Sequence, residues 1–165
     1  MTSEPHTDYP PATERFLAAA REAGVDVKPS VYPDGTKTSQ DAADAIGCPL
    51  SAIAKSLVFM VDDEATLVMM SGDLRVDMDK LVDVAGASAA RRANLDEVRT
   101  HTGYVAGGTP AFGHAGAMRV YADISLRRND PVWSAAGTPT TVYPIPLDTL
   151  MTAAGAEWVD VAEAQ

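Results

Sequence analysis

The sequence predicts one α+β domain. With 165 residues, of which 46% are hydrophobic, the chain is long enough for one sizeable core and does not require a second. Apolar runs typical of strands follow one another closely, and amphipathic helical segments interrupt them at irregular intervals. That order favours locally paired strands over the regular strand–helix alternation of a doubly wound parallel sheet.

A buried hairpin is the clearest element of the first half. Residues 56–61 and 65–71 are apolar and rich in strand-forming residues, and Asp62-Asp63-Glu64 joins them, so we expect them at the centre of the sheet. Glycines, prolines and capping residues mark the elements before the hairpin: a helix over 13–23, a strand over 25–32, a turn at 33–35, a helix from Thr38 or Ser39 to Ile46 and a helical turn at 49–53.

The second half predicts shorter elements around one irregular stretch. Residues 127–139 are expected to be irregular, with Trp133 as an anchor. The remaining segments are helices from Asp77 or Asp79 to 85, over 93–99 with Asn94 as its cap, and over 146–154, and strands over 118–124, 140–145 and 158–161.

The formal net charge of −10 argues against a broad electrostatic grip on nucleic acid and leaves only a local patch as a phosphate-binding surface. The adjacent pairs Arg91-Arg92 and Arg127-Arg128 are the candidates for such a patch. For each pair, the interpretation as a solvated surface feature is favoured over a phosphate contact.

The ends and the composition indicate a cytoplasmic protein without a membrane partner. Residues 1–10 are polar and contain proline, so we expect a flexible arm before a domain over 11–165. No secretory signal and no apolar run of roughly 18 residues is present. The single cysteine, Cys48, excludes an internal disulfide framework.

The segment from Gly103 to His114, GYVAGGTPAFGH, has a composition that no regular element favours. Gly107 and Gly108 can take a positive φ and admit a ligand close to the main chain, while Pro110 stiffens the second half of the segment. Consecutive backbone N–H groups in such a loop form a nest or an oxyanion hole for a carboxylate, a phosphate or an ester carbonyl. An ordinary connection between strands has a similar composition, and the dinucleotide and P-loop spacings are absent.

Two side chains carry candidate chemistry. Lys55 stands at the start of an apolar strand, where an ammonium needs a partner unless it reaches out to solvent. His114 closes the glycine segment and is a candidate base, acid or donor, whereas His101 is more simply a helix-end residue. His101, His114 and Cys48 lack the spacing of a metal site, and no G-x-S-x-G elbow is present, so we predict neither a metal nor a cofactor.

Three blocks, AKSLVF from Ala54, GYVAGGTPAFGH from Gly103 and VWSAAGTP from Val132, resemble the YbaK family of domains associated with, or inserted in, prolyl-tRNA synthetase. The resemblance extends from about residue 11 to 162. It implies a mixed, barrel-like curled β-sheet flanked by helices, and a freestanding hydrolase that removes wrong amino acids from tRNA.

The resemblance also assigns roles to residues. It places Lys55 at the functional lysine, Gly107 and Gly108 against the aminoacyl ester, and His114 in a role that only some members share. It further implies substrate-binding positions, which are Tyr32, Gly103, Thr109 and Pro110. Some members carry an acidic residue where this chain has Thr140-Thr141-Val142, which puts a mechanism that uses that acid in doubt.

The implied substrate is the acceptor end of a mischarged tRNA, with tRNA-Pro bearing cysteine, alanine or serine as the first expectation. A synthetase is a further expected partner. The alternative is a module of the same fold that binds an amino acid or docks to a synthetase without catalysis.

Overall fold

The computed structural model describes residues 9–32 and 38–164. Its helices are α1 (Pro11–Glu22), α2 (Ser39–Ile46), α3 (Met78–Ala85), α4 (Leu95–Thr102) and α5 (Leu147–Ala154), with 3-10 turns at Leu50–Ala52 and Ile124–Arg128. Its strands are β1 (Ser30–Val31), β2 (Ala54–Val61), β3 (Glu64–Ser71), β4 (Ala90–Arg92), β5 (Arg119–Asp123), β6 (Val132–Ala135), β7 (Thr141–Ile145) and β8 (Glu157–Val159).

The strands form a mixed five-stranded sheet and a three-stranded sheet. The larger sheet has the order β4-β2-β3-β5-β8, with β2 and β3 as an antiparallel hairpin and β5 parallel to both β3 and β8. The smaller sheet has the order β1-β7-β6, and a parallel bridge between Ile53 and Trp133 joins it to the first residues of the hairpin. The α+β class, the single domain and the central hairpin are therefore confirmed, while the sheets do not close into a barrel.

Both faces of the central strand β3 are covered. Leu67 and Met69 belong to the larger core cluster, which includes Phe16 of α1, and Val68 and Met70 belong to a second cluster, which includes Leu81 of α3. All four β3 residues have no exposed surface. This explains why the strand reads as an unbroken apolar run.

Side-chain caps set the helix boundaries where the sequence placed them. Thr38 accepts a hydrogen bond from the Asp41 N–H, Asp77 caps α3, and Asn94 forms a reciprocal capping box with Glu97 at the start of α4. α4 continues to Thr102, three residues beyond the predicted end, and Gly103 terminates it in a left-handed conformation with φ +82°.

Two expectations about strands were wrong, and one strand was not predicted. Of the predicted strand over 25–32, only Ser30–Val31 form a strand, and Pro29 has no N–H with which to extend the ladder toward residue 25. The stretch over 127–139 contains β6, which pairs with β7 over four residues. The polar strand β4 gave no sequence signal, because it is defined by pairing with β2 and exposes both arginines. The predicted turn at 33–35 lies outside the described residues.

Candidate active site

A cavity of about 500 Å³ opens beside β2, within the range of small-molecule sites. Trp133 of β6 forms its bridge with Ile53, just before β2 begins, and β4 pairs with β2 from Phe59 to Val61. Between these two places no strand pairs with the edge of β2 that faces away from β3. The carbonyl of Val58 accepts a hydrogen bond from Ala93 on this edge. Because alternate residues of a strand direct their amide groups to the same edge, Ser56 presents its N–H and C=O to the cavity.

Lys55 lines this cavity and is half-buried. Burial lowers the pKa of its ammonium, the positive charges of Arg92 and Arg75 lower it further, and Asp73 opposes the shift. Asp73 is itself held by a bidentate pair with Arg128, at 2.7 and 3.0 Å. In the described part of the chain Lys55 has no hydrogen bond or ion pair, so an anionic ligand would stabilise the positive charge of its ammonium.

The segment from Gly103 to His114, here called the glycine loop, forms another part of the cavity wall through Ala106, Gly107 and Thr109. Gly107 has φ +84°, and a Cβ there would meet Pro139 at 3.9 Å, an ordinary van der Waals contact, so no neighbour excludes a side chain. Within residues 9–32 and 38–164, the N–H groups of Ala106, Gly107 and Thr109 have no hydrogen-bond acceptor. These three backbone donors are available to a ligand.

Gly108 does not have a positive φ, so the expected left-handed backbone there was wrong, and it is not among the residues that line the cavity. Its N–H donates to the Val105 carbonyl at 3.0 Å, and its carbonyl accepts from Gly137 at 2.9 Å. A Cβ at Gly108 would lie 2.6 Å from the Cα of Thr138. Gly108 is therefore a point of close approach between the glycine loop and the segment that precedes β7.

His114 and Gly103 also lie outside the cavity wall. The His114 Nε2 donates to the Pro110 carbonyl at 2.7 Å, and burial lowers the pKa of the ring while this hydrogen bond opposes the shift. Gly103 terminates α4, and its carbonyl accepts from Arg15 at 3.1 Å. Both residues hold the two ends of the loop in place.

Tyr32 is half-buried just beyond β1, where its N–H donates to the Thr140 carbonyl. Neither Tyr32 nor Pro110 is among the residues that line the cavity. Pro110 is buried, and its carbonyl accepts the hydrogen bond from His114. Of the eight residues expected in the site, the structure brings Lys55, Gly107 and Thr109 together around the cavity.

The cavity wall includes residues that the sequence did not assign to the site. The polar residues among these include Arg92, Asn94, Ser56 and Ser134, and Trp133 adds an aromatic face. The two arginine pairs divide: Arg91 forms a bidentate pair with Glu97 and Arg128 pairs with Asp73, whereas Arg92 stands over the Phe59 ring and Arg127 over the Trp158 ring. Only Arg92 of these four faces the cavity.

The described ranges contain neither a candidate metal site nor a helix that could span a membrane. No three His, Cys, Asp or Glu side chains group there as ligands for a metal ion. No helix there has the length and apolar character to cross a bilayer.

The aminoacyl-tRNA editing domain family matches residues 33–153, and the chain belongs to this family. A crystal structure of a candidate trans-editing enzyme for prolyl-tRNA synthetase superposes with a TM-score of 0.90 at 33% identity, over 95% of this chain and 100% of the other. The hypothetical protein APE2540 superposes with a TM-score of 0.82 at 25% identity, over 90% of this chain and 99% of the other.

Two curated relatives are a small protein and a synthetase. The uncharacterized protein YwhH of Bacillus subtilis (strain 168) is 33% identical over 134 residues, which is 80% of this chain and 85% of YwhH. The proline–tRNA ligase of Xanthomonas campestris pv. campestris (strain 8004) is 35% identical over 107 residues, which is 65% of this chain and 19% of the ligase. The chain thus spans about a fifth of the length of that ligase.

Proposed function

We propose that this protein is an aminoacyl-tRNA deacylase, which hydrolyses the ester of a mischarged tRNA and releases the amino acid. The observation that carries the proposal is that Lys55 and the donor amides of the glycine loop line the same cavity. The relation to prolyl-tRNA synthetases makes tRNA-Pro bearing a small amino acid the first substrate to test.

The proposed reaction is attack by a water oxygen on the ester carbonyl carbon. The carbonyl oxygen then carries negative charge, the C–O bond to the ribose breaks, and the ribose oxygen takes the proton that the attacking water gives up, so the products are the free amino acid and the ribose hydroxyl. Lys55 supplies positive charge, and the N–H groups of Ala106 and Gly107 supply donors for the developing oxyanion. The reaction needs no metal or organic cofactor.

The remaining glycine-loop residues act through loop shape in this mechanism. Gly108 allows the close contact with Thr138, and His114 holds the carbonyl of Pro110. His114 is therefore a positioning residue, and a water or a hydroxyl of the substrate's own ribose assists the attack. Gly103 positions the loop at the end of α4. In the same proposal, Tyr32, just after β1, contacts the substrate.

The proposed partner is the acceptor end of the tRNA. Arg92 is exposed at the cavity and has no carboxylate partner in the described part of the chain, so it is suited to a phosphate near the terminal nucleotide. A net charge of −10 disfavours contact with the rest of the tRNA. Such an enzyme acts where tRNA is charged, in the cytoplasm, and docking to a synthetase is consistent with this role.

A second candidate is a binding module without catalysis. The observation in its favour is that no Asp or Glu of the described residues lines the cavity. Thr141, in the segment where some members carry an acid, is fully buried and hydrogen-bonds to Thr13 and Thr138. A mechanism that depends on a carboxylate base has no residue there.

A panel of mischarged tRNAs separates the two candidates. tRNA-Pro charged with cysteine, alanine, serine or proline is incubated with protein at one hundredth of the tRNA concentration, and the remaining ester is measured. The deacylase is expected to hydrolyse at least one mischarged tRNA through many turnovers and to spare prolyl-tRNA-Pro. Loss of ester at the spontaneous rate with every tRNA, together with saturable binding, would support the binding module.

A further inference from the structure

The wall of the cavity beside β2 carries positive charge without negative charge. Lys55 and Arg92 both line it, and no Asp or Glu of the described residues does. Neither cation forms an ion pair within residues 9–32 and 38–164. Asp73, which acts on the pKa of Lys55, is already held in a bidentate pair with Arg128. An anion inside the cavity would therefore supply a charge that its wall lacks.

Backbone N–H groups of the glycine loop add donors to this charge. Ala106 and Gly107 line the cavity, and both residues are exposed. Their N–H groups have no acceptor in the described part of the chain, and successive free N–H groups of this kind favour an anion. A carboxylate has two oxygens that accept several hydrogen bonds, so it can use a cation and neighbouring amides together.

The rest of the wall limits the size and the charge of the anion. Ala54, Val58 and Val142 contribute small apolar side chains, so an anion with a small apolar substituent fits better than inorganic phosphate. A dianion would also lose more hydration than a monoanion when it enters the cavity. The anion that matches this wall is a monocarboxylate with a short hydrocarbon chain.

A free amino acid matches the wall poorly, because its ammonium group accompanies its carboxylate. The Ser56 carbonyl on the edge of β2 can accept a hydrogen bond from an ammonium, but it carries no full negative charge. Lys55 and Arg92 would repel the ammonium, and no carboxylate of the described residues lines the cavity to offset that repulsion. The wall therefore favours acids in which a hydrogen, a hydroxyl or an oxo group replaces the α-ammonium.

We infer that the cavity is a binding site for small monocarboxylates without an ammonium group, such as short fatty acids, 2-hydroxy acids and 2-oxo acids, and that these compete with the ester. The binding goes beyond the proposed function and is measured without tRNA, whereas the competition rests on that function. The proposed substrate also has an ammonium group, but its nucleotide adds contacts, including the one with Arg92, that a free amino acid lacks.

Three ligands of similar size separate the two charges. Propionate has the carboxylate alone, alanine has the carboxylate and the ammonium, and propionamide has neither charge. Each is titrated to about 50 mM into isotope-labelled protein at constant ionic strength, and the amide chemical shifts give the dissociation constant. Propionate is expected to shift the Ala106 and Gly107 N–H signals with a dissociation constant of about 1 mM. Alanine and propionamide are expected to bind about tenfold or more weakly.

Variants of Lys55 connect the binding to the charge of the wall. Lys55→Ala should weaken propionate binding about tenfold or more, and Lys55→Arg, which keeps the charge, should weaken it less. Lys28→Ala is the matched control, because Lys28 is exposed and does not line the cavity, and it should bind propionate like the unmodified protein. The amide signals of residues away from the cavity verify the fold of each variant.

The outcomes distinguish this inference from the proposed function. No binding of propionate, or equal affinity for propionate and either alanine or propionamide, would overturn the inference, and hydrolysis of a mischarged tRNA would then leave the deacylase proposal intact. Hydrolysis that continues at the same rate in saturating propionate would also overturn it. Propionate binding at the glycine loop without hydrolysis of any mischarged tRNA would support the carboxylate site and refute the deacylase.

Discussion

At the scale of single residues, the two central glycines of the loop serve different purposes. Gly107 needs its left-handed backbone, with φ +84°, and its Cβ position has only an ordinary contact, with Pro139 at 3.9 Å. Gly108 needs the absence of a side chain, because the Thr138 backbone occupies the place of a Cβ. A sequence pattern of two adjacent glycines does not separate these requirements.

Alanine substitutions test this difference through the free energy of unfolding, measured by urea titration. Gly107→Ala should cost about 1 kcal/mol from the left-handed backbone alone. Gly108→Ala should cost about 3 kcal/mol, because a backbone contact of 2.6 Å cannot be relieved by turning a side chain.

Gly24→Ala is the matched control for backbone strain. Gly24 has φ +75° and no atom within 4 Å of a Cβ, so its cost measures the left-handed conformation without a neighbour. An equal loss of stability in Gly24→Ala and Gly108→Ala would contradict the packing role of Gly108.

At the scale of elements, the first turn of α4 holds one wall of the cavity. Asn94, Leu95 and Val98 line the cavity, and the capping box of Asn94 and Glu97 fixes where the helix starts. Arg91 of β4 adds a bidentate pair with Glu97, both distances being 2.7 Å. One carboxylate thus connects the helix start to the edge of the five-stranded sheet.

This carboxylate makes the helix sensitive to acid. The Arg91 side chain, assisted by the Asn94 N–H, lowers the pKa of Glu97 from 4.5 to about 2. A lowered carboxyl pKa in the folded state stabilises the fold above pH 4.5 and loses that contribution as the pH falls toward 2. The unfolding free energy of the unmodified protein should therefore decrease over this window by more than that of Glu97→Gln.

Glu22→Gln is the comparison for that measurement, because Glu22 is exposed and has no ion pair in the described part of the chain. If the stability difference between unmodified protein and Glu97→Gln does not change between pH 4.5 and pH 2, the ion pair with Arg91 does not contribute to folding.

At the scale of the whole molecule, the chain is acidic overall but has a small cluster of positive side chains near the cavity. Lys55, Arg75 and Arg92 lie close enough for the two arginines to lower the lysine pKa, although the net charge is −10. This distribution fits a site that takes only the end of a polyanion. It also agrees with the family's link to prolyl-tRNA ligases, in one of which the matching region is 19% of the chain.

The sequence predicted those parts of the fold that depend on local signals. Thr38, Asp77 and Asn94 cap their helices as expected, because a cap is a contact between residues two or three apart. β4 was missed because a distant strand, β2, defines it, and β6 was missed although its partner β7 is the next strand along the chain. In the site, Lys55 was predicted from its unusual place in an apolar run. Ser56 and Ser134 were not predicted, because only the fold brings these two residues to the same cavity wall.

The most direct test of the account is the single-turnover rate of ester hydrolysis by Lys55→Ala on the best tRNA of the panel. The rate should fall by about 10²–10³, the usual cost of losing one electrostatic contact to the developing charge. Its thermal stability should not fall, because the variant removes an ammonium that burial disfavours. Lys28→Ala, at an exposed lysine that does not line the cavity, should keep the unmodified rate. A folded Lys55→Ala protein that hydrolyses the ester at the unmodified rate would contradict the assignment of this cavity as the active site.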